Sequence, residues 1–158
     1  MSILLLSNIS YSKDIQKIVF SEWDKPEINI FYNLPAQITE NTKVIFVIHG
    51  NSRNADGYLN VWIKLARKHN VLLVAPEFNR SNFPSYNTLM MSTSNGRIRE
   101  NKDLYLHNSI DLFFDYFINK FDLKADKYTI YGHSGGSQFV HRYLLLSDNP
   151  KVDKAVAA

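Results

Sequence analysis

Gly132-His133-Ser134-Gly135-Gly136 carries the spacing G-x-S-x-G, in which a serine can be made into a nucleophile. Lys127-Tyr128-Thr129-Ile130-Tyr131 before it reads as a buried strand, and Ser137 to Leu146 after it reads as a helix. A serine at the turn between such elements is held on a tight elbow with its hydroxyl exposed. The flanking glycines allow backbone angles and close approaches that a Cβ would forbid. Ser134 is therefore the candidate nucleophile, and it stays weak until a base takes its proton. His133 fills the variable position of the elbow, and its side chain is expected to point away from the reacting centre.

A second motif lies upstream. Val47-Ile48-His49-Gly50-Asn51 ends an apolar run, and Gly50 would let the backbone turn toward a substrate. His49 is expected to organise this loop rather than to move protons. Glu77 follows Val71–Pro76 at the same edge and is expected either to orient the loop or touch substrate, or to be a solvated loop carboxylate. Asp153 begins a strand and falls at the wrong edge for catalysis. His141 is expected to pack internally on the helix after the elbow, and His69 and His107 are expected on helices far from the chemistry. No two histidines have i, i+2 or i, i+4 spacing and there is no cysteine, so no metal site is expected. No G-x-G-x-x-G occurs, and the elbow lacks the lysine of a phosphate loop, so no cofactor is expected either.

The elements that must position these residues follow from periodicity. Lys17 to Trp23 and Ile28 to Tyr32, separated by the turn Asp24-Lys25-Pro26, read as a hairpin. Lys43–Ile48 and Val71–Pro76 are continuously apolar after the lysine, as strands buried on both faces are. Asn54 can cap a helix whose buried face would be Tyr58, Trp62, Leu65, Ala66 and His69. Residues 79 to 100 are polar and read as a lid or binding loop, with Tyr86, Arg97 and Arg99 as candidate substrate contacts. Ile110, Phe113, Phe114, Phe117, Ile118 and Phe121 have helical spacing, and Lys151 to Ala158 begins a further strand. Alternating strands and helices after a hairpin imply an α/β fold, with a mainly parallel sheet and helices on both faces.

Composition narrows the class. At 158 residues the chain fits one domain with one core, and an apolar content of 45% argues against disorder. The net charge of +3 is spread without a basic run, so nucleic acid is not the expected partner. Ile3-Leu4-Leu5-Leu6 is too short and lacks the basic flank for a signal segment, and no apolar run approaches a membrane span. A soluble cytoplasmic protein without membrane partners is the expectation.

On these two motifs, in this order, the chain resembles the α/β-hydrolases over nearly its whole length. The run Gly132 to Arg142, with Val152 to Ala158 behind it, is similar to esterase-like members near the polyhydroxybutyrate-depolymerase and feruloyl-esterase branch. The resemblance implies an oxyanion hole from the backbone N–H groups of Gly135 and Asn51, with Ser52 as the fallback, supported by Gly50, Gly132 and Gly136. It implies an eight-stranded fold of which residues 1–158 supply a single domain truncated after the start of the sixth strand, lacking the C-terminal strands. It also implies an acid and then a histidine after the serine. No histidine here occupies that place, so both are expected beyond residue 158. The expected activity is hydrolysis of a small-molecule ester by the intact protein, the 158 residues alone being inert. The alternative is a hydrolase-fold scaffold or binding module without catalysis, and the open sheet edge expected at the sixth strand argues against it.

Overall fold

A computed structural model describes residues 15–148 and 150–158, so the Ile3–Leu6 run lies outside the described residues. Gln16–Phe20 (β1) and Ile28–Asn33 (β2) form the expected antiparallel hairpin, with Ile18 opposite Ile30. The buried strands are Lys43–Ile48 (β3), Val71–Pro76 (β4) and Tyr128–Gly132 (β5). Val152–Ala157 (β6) follows. They make one six-stranded sheet in the order β1-β2-β4-β3-β5-β6. The β4-β3-β5-β6 part is parallel, and β2 joins β4 antiparallel. β3 is the hub, with Phe46 beside Val74 on one side and Ile130 on the other.

Successive strand residues alternate faces, and the two faces build two cores. Val44, Phe46, Ile48, Leu72, Val74 and Ile130 point to the face covered by Ser109–Phe121 (α2) and Gly135–Leu146 (α3). Val47, Val71, Leu73 and Ala75 point to the other, covered by Ala55–Lys68 (α1). Asp111 staples the first face together. Its carboxylate accepts from Tyr128 Oη at 3.0 Å, Tyr143 Oη at 2.8 Å and the Lys151 N–H at 2.8 Å. Burial pushes both tyrosine hydroxyls up, which keeps them protonated donors. Among the described residues no helix is long and apolar enough to cross a membrane.

Four expectations are corrected. β1 stops at Phe20, short of Trp23, because Trp23 leaves the sheet to close the core. Its Nε1–H donates to Pro26 O at 3.0 Å and its ring packs 5.1 Å from Phe113. The buried stripe of α1 is Ala55, Leu59, Ile63 and Ala66, while Leu65 is 51% exposed. Tyr58 and Trp62 lie half-buried on its flank. Asn54 does stand at the N-cap, but its side chain makes no capping bond and accepts instead from the Ser52 hydroxyl at 2.5 Å. Last, residues 79–100 are not a loose lid. Phe83, Tyr86, Leu89 and Met90 are buried, and Asn87 holds the segment to α3 through Gln138 at 2.9 Å and Arg142 at 3.0 Å. Leu89 and Met90 take left-handed angles (φ 55° and 57°), so the segment doubles back without a glycine to announce it.

Candidate active site

The parallel pairing of β3 with β5 sets Ile48 beside Gly132, so the two motifs meet at one sheet edge. That is the carboxyl edge of the strands, where open α/β sheets bind ligands. Ser134 stands between β5 and α3 with φ 56° and ψ −119°, a strained geometry for a residue with a Cβ. The elbow closes only because its neighbours lack side chains. A Cβ on Gly132 would stand 2.2 Å from Gly136 O, and one on Gly136 would stand 2.2 Å from Ile48 O and 2.7 Å from His49 O. The site of a Cβ on Gly50 is 3.4 Å from Ser134 Cβ and 2.6 Å from Tyr58 Oη, so the end of β3 presses against the serine.

Two peptide groups flank Ser134 with their carbonyls tied back. Gly50 O receives the His49 Nδ1–H at 2.9 Å and the Arg53 N–H at 3.1 Å. Ser134 O receives the Ser137 N–H at 3.0 Å and its hydroxyl at 2.7 Å. In a planar trans peptide the N–H points opposite to the C=O. Pinning these two carbonyls therefore aims the Asn51 and Gly135 N–H groups the other way. Neither N–H makes a hydrogen bond within the described residues.

His49 is fully buried, and its bonds define its tautomer. Phe78 N–H donates to Nε2 at 3.0 Å, so the proton sits on Nδ1 and goes to Gly50 O. Burial, first among several causes, lowers its pKa to about 4. The folded pKa lies below the unfolded value near 6.5, so the unfolded chain binds the proton first as pH falls. The stability due to neutral His49 is thus whole above pH 6.5 and is lost as pH falls toward 4, by about 3 kcal/mol. The His49 ring signal should stay unprotonated down to about pH 5 in an NMR titration; protonation near 6.5 would contradict this.

The remaining candidates are scattered. Glu77 accepts from Asn29 Nδ2 at 2.8 Å, which ties it to β2 and not to the His49–Asn51 loop. Tyr86 is fully buried, so it is no substrate contact; its hydroxyl donates to His49 O at 2.8 Å. His133 Nδ1 lies 3.1 Å from Tyr58 Oη. His141 is exposed rather than internally packed, His69 caps the end of α1, and His107 lies in a turn ahead of α2 rather than on it. Asp153 lies with Lys43 and Lys127 around a cavity at the opposite edge. No described side chain hydrogen-bonds the Ser134 hydroxyl.

Sequence reading missed Arg53 and Arg80. Arg53, itself left-handed at φ 64°, donates to the carbonyls of Phe78, Phe83 and Pro84 and lies 4.1 Å from the centre of the Tyr86 ring. Arg80 donates to Asn51 O at 2.7 Å. No motif flags Arg53, because its carbonyl partners lie 25, 30 and 31 residues away along the chain.

No protein-family model and no curated protein sequence matches the chain. Among solved structures it is similar to a poly(aspartic acid) hydrolase from Sphingomonas sp., at 35% identity and TM-score 0.83, over 90% of this chain and 55% of that one. It is also similar to a poly(3-hydroxybutyrate) depolymerase from Bordetella parapertussis, at 26% identity and TM-score 0.79, over 91% of this chain and 51% of that one. A fluorophosphonate-binding serine hydrolase of Staphylococcus aureus shares the fold at 18% identity and TM-score 0.66, over 91% of this chain and 56% of that one. This chain thus spans about half the length of the structures it matches. The fold is that of the esterase-like α/β-hydrolases.

Proposed function

We propose that the intact protein is a serine hydrolase that cleaves carboxylic esters through an acyl-enzyme on Ser134. The observation that carries this is the strained elbow itself, with Ser134 at φ 56° between two backbone amides whose carbonyls are tied back. Strain of this kind persists only where the surroundings over-determine it.

Ser134 Oγ attacks the acyl carbon and passes its proton to a base. The N–H groups of Asn51 and Gly135 receive the oxyanion, Gly135 at the positive end of α3. The tetrahedral intermediate collapses, the C–O bond to the alcohol breaks, and the base returns the proton to the leaving oxygen. Water then repeats the sequence on the acyl-enzyme and releases the acid. A histidine from polypeptide beyond residue 158 serves as the base, oriented by an acid from the same region. The name of the poly(3-hydroxybutyrate) depolymerase supports a repeating ester as substrate, while the poly(aspartic acid) hydrolase is named for an amide-linked polymer whose acyl carbon the same serine chemistry would attack. Peptidase, thioesterase and acyltransferase chemistry would use the same parts.

A fluorophosphonate reports an activated serine. The intact protein should be modified stoichiometrically on the peptide that contains Ser134, and the 158 residues alone should stay unmodified. An intact protein left unmodified, where a control serine hydrolase reacts fully, would overturn the reading. Strong labelling of the 158 residues would place the base among them instead.

A further inference from the structure

Tyr86 touches both amide-bearing loops from the buried side; Tyr58 Oη also lies between Gly50 and His133, and the Asn51 side chain also reaches Gly135, where a Cβ would stand 2.5 Å from its Oδ1. Its hydroxyl donates to His49 O, at the head of the loop that ends in the Asn51 amide, at 2.8 Å. The same oxygen packs so closely on Gly135 that a Cβ there would stand 2.7 Å from it. The ring below is fixed. It stacks on Phe78 at 5.7 Å and on Phe139 of α3 at 6.2 Å, and the Arg53 guanidinium covers it at 4.1 Å. Arg53 belongs to the Asn51 loop and Phe139 to the helix that begins at Gly135. The ring is therefore seated on one loop's support and clamped by the other.

We propose that the Tyr86 hydroxyl is a positioning group that sets the gap between the Asn51 and Gly135 amides. It need not touch substrate. An oxyanion hole works by donors fixed in advance, about 2.7 to 3.1 Å from where the charge develops. A spacer between the two donors holds that distance in the empty enzyme. Burial pushes the Tyr86 hydroxyl up to about 12, so it remains a donor throughout the neutral range.

The test compares Tyr86→Phe with Tyr105→Phe. The second removes a bond of the same kind, from Tyr105 Oη to Arg99 O at 2.8 Å, away from the elbow. In nitrogen-15 NMR spectra of the protein, Tyr86→Phe should displace the Asn51 and Gly135 amide signals, and Tyr105→Phe should leave both in place. In ester hydrolysis, Tyr86→Phe should lower kcat tenfold or more with KM within twofold, and Tyr105→Phe should change neither. Unmoved Asn51 and Gly135 signals in Tyr86→Phe would overturn the proposal, as would a kcat equal to that of Tyr105→Phe. A Tyr86→Phe chain that cannot fold would also count against it, because a spacing hydroxyl can be removed with its ring left in place. The kinetic arm rests on the ester-hydrolase reading and the amide arm does not. A parent protein without esterase activity would sink that reading and leave the amide signals to decide Tyr86.

Discussion

Ser134→Ala should reduce ester hydrolysis by the intact protein roughly 10⁶-fold in kcat and leave a remnant of about 10³ over water from the oxyanion donors. The change removes one oxygen, and the Ser134 hydroxyl holds no described side chain in place. Alanine at φ 56° suffers the same backbone strain as serine, so the thermal midpoint should stay close to the parent's. Ser134→Gly would be equally inactive. Glycine adopts that φ readily, so this variant should be more stable than Ser134→Ala by about 1 kcal/mol. The pair separates chemistry from strain. Chromogenic ester hydrolysis and denaturant midpoints on the three proteins measure both, and full activity in either variant would remove Ser134 from the mechanism.

Gly136→Ala, like Gly132→Ala, should be strongly destabilising, because the atoms nearest the added methyl are backbone. Its Cβ would meet Ile48 O at 2.2 Å, His49 O at 2.7 Å and Ile48 C at 2.9 Å, all backbone atoms at the end of β3. A crowded side chain can change rotamer, but a strand in the middle of the sheet cannot. Overpacking usually costs about 1–3 kcal/mol, and a backbone clash belongs at the top of that range or above it. Any folded fraction must hold α3 further from β3, which widens the gap between Gly135 and Asn51 and lowers kcat as well. Equilibrium denaturation in urea decides this. A variant as stable as the parent would mean that α3 slides along β3 without cost.

The sheet and the elbow were legible because they are written in local pattern. Continuous apolar runs gave β3 and β4, phenylalanines at helical spacing gave α2, and Gly132 with Gly136 marked the place where two backbones meet. What was hidden is non-local. The 79–100 segment looked like solvent-facing loop because its polar residues outnumber Phe83, Tyr86, Leu89 and Met90, yet those four enter the core. Its reversal uses left-handed leucine and methionine, a conformation no residue preference signals. Glu77 stood at the correct edge by position, and only the β2–β4 pairing reveals Asn29 as its partner. The face of α1 differs from the expected one because large aromatics draw the stripe toward Tyr58 and Trp62, while Ala55 and Leu59 sit deepest.

The position of β3 at the hub also fixes when the serine can take its shape. β3 emerges from the ribosome after the hairpin, and β4 can join it and β2 as soon as α1 has crossed over. The elbow cannot yet exist. Its φ of 56° is enforced by Gly136 against the carbonyls of Ile48 and His49, and by Gly132 against Gly136. Those contacts need β5 paired to β3 and α3 docked across the strand end. Pairings between residues far apart in sequence form slowly, because loop closure must come first. Until β5 and α3 are in place, Ser134 is therefore free of the contacts that hold its φ at 56°, and the strain enters the backbone only as the centre of the sheet is completed.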